Sequence, residues 1–278
     1  MDEVLEWVIQ HAPGYTRVIF EEPPRHGKSE RVSRRLPAAY LGRHPDGKVI
    51  HATYNSDLAR KEGAKVQRIM TGRAFKELHP DVRLPAETKR KMSGARYVRT
   101  KDYFEIVGHD GSYNAAGMGG TFTGTGMTLG IVDDPIKNAK EADSETVRDA
   151  QWEWWLSTFL SRDEGNAAIV VCMTRWHEDD LVGRILENAK ESGEKWLVIR
   201  LEALREDMSD PRDPRKAGEA LWPGKFSRRG CCSVRPPTDA AGRAGGTACT
   251  SRTRPRPKAP SSCVTTGAIS IQPTRWTT

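Results

Sequence analysis

Residues 17–30, RVIFEEPPRHGKSE, constrain this chain more than any other stretch: an apolar strand runs into a tight turn that closes on Gly27-Lys28-Ser29. A buried strand delivers the chain to a sheet edge, and Gly27 lets the backbone come close to an oxyanion. Lys28 offers a point charge to β- and γ-phosphates, and the Ser29 hydroxyl can ligate Mg²⁺ where a helix begins. Arg25, His26 and Glu30 complete the candidate nucleotide-binding loop. The pattern G-x-x-x-x-G-K-[ST] holds except at its first glycine, where Glu22 stands. His26 is open to two readings, a base near neutrality or a residue that shapes the loop, and the second is favoured.

A second motif completes the chemistry. Residues 127–134, MTLGIVDD, read as an apolar strand ending in Asp133 and Asp134. In a parallel sheet such a strand presents its acids at the carboxyl-end crevice. One of the two carboxylates can then hold Mg²⁺ while its neighbour orients or deprotonates an attacking water. The alternative is a simple turn, since Asp-Asp-Pro is good turn chemistry anywhere.

Charge is unevenly placed. Residues 228–278 contain eight Arg and one Lys against the single acid Asp239, and no Leu, Glu or Tyr. This segment alone outweighs the net charge of +7 for all 278 residues, so residues 1–227 are close to neutral. The overall basicity therefore gives no DNA-binding face to the folded body. Cys231, Cys232, Cys249 and Cys263 also lie in the tail, at spacings that fit no zinc ribbon, leaving Cys172 alone in an apolar run of the body. A single buried cysteine suits a reducing cytosol. No apolar run approaches 18 residues, and no secretion signal opens the chain. The expectation is a folded body, 1–227, and a basic tail, 228–278, too poor in apolar residues to bury a core and therefore disordered.

Strand patterns fall at 17–21, 48–54, 103–108, 128–133, 168–174 and 195–201, and helical patterns at 29–41, 56–70, 143–160 and 178–191. The alternation predicts an α/β fold with a mainly parallel central sheet flanked by helices. The helix at 56–70 opens with the cap signal Ser56-Asp57. Trp152, Trp154 and Trp155 read better as the apolar face of a helix than as a base-stacking platform. His177, Asp179 and Asp180 read as helix capping rather than a metal site. The glycine-rich run 117–126 carries no phosphate-binding lysine and reads as a loop that moves or touches DNA. Lys89, Arg90 and Lys91 form a charged, solvated face or a phosphate contact.

Taken together, PPRHGKSE (23–30), HATYNSDLARKEGAKVQRIM (51–70), GSYNAAGMGGTFTGTGMTLGIVDDPIKNAKEADSETVRD (111–149) and MTRWHEDDLVGRIL (173–186) resemble the ATPase portion of a tailed-phage terminase large subunit, over roughly residues 15–226. The resemblance implies a P-loop NTPase with an extra strand between the two nucleotide motifs. It implies an ATP- and Mg²⁺-dependent motor that packages double-stranded viral DNA into a procapsid. It further implies a homo-oligomeric ring, a portal protein and a terminase small subunit as partners, and the cytoplasm of a bacterial host. Lys28 and Ser29 match the family's phosphate- and metal-binding residues, Arg25 its loop arginine, Asp133 its Mg²⁺-associated acid, and Thr174 with Arg175 its coupling motif. Asp134 falls where many relatives carry a catalytic Glu.

Departures accompany the match. Relatives with the same glycine-rich loop commonly have an arginine where Thr125 stands, a finger worth about 10³–10⁵ in rate. Arg96 and Arg99 are the candidate substitutes. The expectation is that the adenine-contacting segment that precedes the first strand in relatives is missing from this sequence. The family's nuclease domain needs clustered acids, which 228–278 lacks, and the tail composition reads as translation in a shifted frame. Two other readings stand beside the motor: an inactive prophage remnant that binds nucleotide or DNA weakly, and another P-loop nucleic-acid motor such as a helicase.

Overall fold

The computed structural model describes residues 1–226 apart from 13, 15, 87–96, 123, 125, 207 and 209–212. The expectations placed on the tail, Thr125, Arg96 and Lys89 to Lys91 lie outside the described residues.

Seven strands form one sheet in the order β3-β4-β2-β5-β6-β1-β7. They are β1 (Thr16–Glu21), β2 (Lys48–Thr53), β3 (Tyr103–Glu105), β4 (Ser112–Gly117), β5 (Met127–Asp133), β6 (Asp163–Met173) and β7 (Leu197–Arg200). All neighbours are parallel except the short edge strand β3, which runs antiparallel to β4. β1 is buried at every residue, as befits a parallel strand with helices on both faces.

Strand residues alternate between two apolar layers, because successive side chains leave opposite faces of a sheet. Val18, Phe20, Leu129, Ile131, Val170 and Cys172 pack on one side. That layer also receives Leu5, Val8 and Ile9 of α1 (Asp2–His11), Leu36 and Tyr40 of α2 (Leu36–Arg43), and Val66 of α3 (Ser56–Thr71). Ile19, Val132, Ile169 and Val171 pack on the other side, with Trp154, Trp155 and Phe159 and with Leu181, Val182 and Ile185 of α7 (Leu181–Ser192). Trp154 closes α6 (Glu145–Trp154), and a π-helical turn, Trp155–Phe159, continues it. The tryptophan cluster is therefore core, and Trp154 Nε1 also donates to the Gly120 carbonyl at 2.8 Å, tying the glycine-rich loop to the sheet.

Several elements differ from the sequence expectation. The strand at 103–108 shortens to Tyr103–Glu105, and α1, α4 (Arg73–Leu78) and α5 (Ala139–Asp143) have no predicted counterpart. Strand β4 was unmarked because SYNAAG lacks the β-branched alternation that signals a strand. It pairs with β2 and ends at Gly117, where a side chain would strike the backbone of Asn55 and Ser56. The cap of α3 is Asn55, whose Oδ1 accepts from Leu58 N at 2.8 Å, and not Ser56-Asp57. The helix after Ser29 begins as a π-helical turn, Glu30–Arg35, before α2.

β6 lies between β1 and β5, with Glu21 level with Met173 and Asp133 level with Cys172. The carboxyl ends of all three strands therefore stand side by side, separated only by the strand spacing of about 4.8 Å. Among the described residues no helix is long and apolar enough to cross a membrane.

Candidate functional site

The segment after β1 turns sharply because Pro23 and Pro24 fix φ and carry no N–H. Arg25 then adopts φ 65° and Gly27 φ 98°, so two left-handed residues curl the chain before Lys28. His26 is buried, its Nδ1 lies 2.9 Å from the Pro24 carbonyl, and its ring centre lies 4.6 Å from that of Phe226 with the planes tilted by 31°. Burial lowers its proton affinity, which fits a residue that shapes the loop.

Lys28 points into the sheet crevice with only 4 % of its surface exposed. Its Nζ lies 2.7 Å from Asp134 Oδ2 and donates to Thr174 Oγ1 at 2.9 Å. An ammonium has three donors, so one remains for a further acceptor. Burial on its own would lower the Lys28 pKa, but the Asp134 carboxylate offsets this and raises it, keeping the side chain charged.

Asp134 is the first residue past β5 and holds φ 44°, a strained conformation for a non-glycine residue. Its N–H donates to the Cys172 carbonyl at 2.9 Å, and its Oδ1 accepts from Thr174 N at 3.1 Å. One carboxylate thus bridges Lys28 and the end of β6. Thr174 Oγ1 in turn donates to the Glu22 carbonyl at 3.2 Å, closing a ring of contacts through β1, β5 and β6.

Asp133 is buried, and Ser33 Oγ donates to its Oδ2 at 2.5 Å. Ser29 approaches the same carboxylate. Oδ1 is buried with no hydrogen-bond partner among the described residues. Desolvation, and then the neighbouring Asp134 charge, push the Asp133 carboxyl up to about 6, against the Ser33 and Ser29 hydroxyls. An orphaned carboxylate oxygen beside a serine hydroxyl is a donor set that suits a hard divalent cation such as Mg²⁺.

Not every candidate converges here. The Arg25 side chain is exposed. Glu30 turns its carboxylate toward Arg34 and Arg35, so only its backbone faces the loop. Arg175 lies behind the site: Nη1 donates to Glu21 Oε1 at 2.9 Å and Nε to Asp180 Oδ2 at 2.7 Å. Glu21 also holds Arg200 of β7, so this cluster joins the ends of β1, β6 and β7. Asp180 caps α7 through Gly183 N at 3.0 Å, and Asp179 pairs with Arg148 and Arg184, which makes this acidic run a cap and ion-pair site. Arg99 lies next to the distant β3 edge, donating to Gln67 Oε1 at 2.9 Å and the Pro85 carbonyl at 3.0 Å.

Ser33 joins the site through Asp133, Glu22 through its carbonyl to Thr174, and Glu21 braces it from behind through Arg175. Ser33 follows Ser29 by one helical turn, a spacing readable from the sequence. Nothing local marks Glu21 or Glu22, because their burial comes from strands distant in the chain.

A parallel sheet whose lysine-bearing loop faces an acid pair across an intervening strand defines the P-loop class of α/β NTPase folds. Residues 19–226 match the family described as terminase large subunit, T4likevirus-type, N-terminal. The chain belongs to the terminase large subunit family. Among solved structures, it is similar to the large terminase of bacteriophage HK97, at 15 % identity and a TM-score of 0.46 over 76 % of this chain and 42 % of that one. It is also similar to the large terminase of the thermophilic bacteriophage D6E, at 12 % identity and a TM-score of 0.45 over 77 % and 46 %. The D6E protein in complex with ATP-gamma-S matches at 11 % identity and a TM-score of 0.39, over 72 % and 43 %. The chain spans less than half the length of these proteins. No curated protein matches it.

Proposed function

We propose that residues 1–226 form an ATP-hydrolysing motor domain that couples hydrolysis to the packaging of double-stranded viral DNA. The observation that carries this reading is the contact of Lys28 with both Asp134 and Thr174, at 2.7 and 2.9 Å. The loop Arg25 to Glu30 binds the phosphates through its backbone and Lys28, and Arg25 reaches the triphosphate from the exposed side. Asp134 orients water for in-line attack and takes its proton. Asp133 and Ser29 hold Mg²⁺, which supplies charge neutralisation on the phosphate oxygens when bound.

Thr174 touches both the lysine and the carboxylate, so a change at the γ-phosphate reaches β6 without an intermediary. Arg175 passes it to Glu21, Asp180 and α7. In this reading the domain works as a subunit of a ring, with the portal protein and the small subunit, in the cytoplasm of the bacterial host. Nuclease activity does not belong to this part of the chain.

A second reading, a domain that binds nucleotide but turns it over slowly, is favoured by Thr125 standing where relatives commonly place an arginine. Phosphate release by the full chain, with and without double-stranded DNA, separates the two. The motor shows DNA-stimulated turnover that Lys28→Ala abolishes. Binding without turnover supports the second reading, and turnover unaffected by Lys28→Ala removes the site.

A further inference from the structure

Gly27, at the centre of the loop, has two atoms near the point where a side chain would begin. Arg31 Nη1 stands 3.7 Å from that point and Trp222 Cζ3 3.9 Å, and nothing else is within 4 Å. A guanidinium and an indole thus both come up to the loop at Gly27. Both are held. Arg31 Nε pairs with Asp2 Oδ1 at 3.1 Å, and Nη1 lies 3.8 Å from Glu22 Oε1. Trp222 belongs to a turn in which Phe226 N donates to the Trp222 carbonyl at 2.9 Å. Lys225 fastens that turn to the loop, donating to the Arg25 carbonyl at 2.9 Å while its ammonium stands 4.6 Å from the Trp222 ring centre. Phe226 rests on His26.

Trp222 is nevertheless 43 % exposed, and it is the one aromatic among the exposed large hydrophobic side chains of the described residues. An indole is thus fixed beside a phosphate-binding loop, with the Lys225 ammonium over its ring and part of its surface still open among the described residues.

We infer that the exposed surface of Trp222 takes the base of the bound nucleotide, with the purine stacked on the indole and the Arg31 guanidinium close by at Gly27. The inference rests on the proposed function and deepens it. Lys28, Asp134 and Thr174 place the γ-phosphate end over β1, β6 and β5. β7 pairs with the opposite side of β1, and the segment carrying Trp222 follows β7. A triphosphate with its terminal group over β6 directs its nucleoside end toward that flank. Stacking on an indole and contact with an arginine plane are attractive for any purine, because both act on its π-face.

The test is calorimetric binding of ATP-gamma-S and of inorganic tripolyphosphate, with Mg²⁺, to the full chain and its variants. Trp222→Ala weakens ATP-gamma-S about 5- to 100-fold and leaves tripolyphosphate within twofold, while Trp222→Phe stays close to the parent. Lys28→Ala weakens both ligands. Equal weakening of both by Trp222→Ala overturns the inference, since the turn would then only support the loop. So does an unchanged affinity for ATP-gamma-S, which would place the base elsewhere while leaving the phosphate site intact. A parent chain that binds neither ligand overturns the proposed function and this inference together. Unfolding temperatures of the variants, expected to match the parent because Trp222 is exposed, exclude loss of fold.

Discussion

Lys28 Nζ stands 2.7 Å from Asp134 Oδ2, and Asp134 Oδ1 accepts the N–H of Thr174, so one carboxylate joins the loop after β1 to the end of β6. The pair is well buried on the lysine side and more open on the aspartate side, at 5 % and 32 % of side-chain surface. An ion pair of this kind keeps the lysine charged and aims the two side chains at the same small volume. The φ of 44° at Asp134 marks the same point, since a strained non-glycine backbone survives only where its surroundings hold it.

Asp134→Asn keeps one oxygen acceptor, for either Lys28 or the Thr174 N–H, turns an amide NH2 toward the other, and removes the base. Turnover is expected to fall about 10²- to 10⁴-fold with nucleotide affinity within a few-fold of the parent. Steady-state phosphate release paired with calorimetry checks this, and full hydrolysis in the variant would remove Asp134 from the chemistry.

Ser33→Ala takes away the 2.5 Å donor to Asp133 and leaves Ser29. Groups that orient a metal-binding carboxylate typically affect metal affinity by 10–100-fold. The Mg²⁺ concentration needed for half-maximal tightening of nucleotide binding should therefore rise roughly tenfold, with Mg²⁺-free binding unchanged. Equal loss in both conditions would mean that Ser33 only packs the helix.

Arg175→Ala leaves Asp180 buried without a cation, while Glu21 keeps Arg200. Breaking such a pair on one side is expected to cost about 3–5 kcal/mol, seen as a lower urea midpoint. Arg175→Lys should recover only part of it, because an ammonium cannot reach both carboxylates as a planar fork does. A variant as stable as the parent would contradict the role given to this cluster.

Glu22 is 3 % exposed, and neither oxygen has a hydrogen-bond partner among the described residues. Burial, opposed by Arg31 and Lys28, raises its carboxyl from 4.5 to about 7. The fold thus favours the neutral acid: its contribution is complete below pH 4.5 and is lost as pH rises through 7. Glu22→Gln should match the parent at pH 4.5 and exceed it by at most about 3 kcal/mol at pH 8. Urea titrations of both proteins across that range decide it, and a difference that does not vary with pH would refute the assignment.

How much was legible depends on how local the signal is. β1, β5 and β6 could be read because strands buried on both faces must be continuous apolar runs, and RVIF, LGIV and AIVVC are such runs. The lysine, the serine and the acid pair could be read because phosphate and metal chemistry needs those side chains in that order. β4 could not, since Ser112 to Gly117 are, apart from Tyr113, small or polar and become a strand only between β2 and β3. Arg175 reads equally well as a site residue or a structural one until Glu21 and Asp180 are seen against it.

The chain order of residues therefore determined the loop, the carboxylates and the alternation of strands with helices, all of which are properties of short segments. Tertiary structure alone decided that Ser33 reaches Asp133, that Arg175 serves Glu21, and that Trp222 returns to stand beside Gly27. Those contacts depend on which apolar faces find burial together, and that energy is shared among segments far apart in the chain.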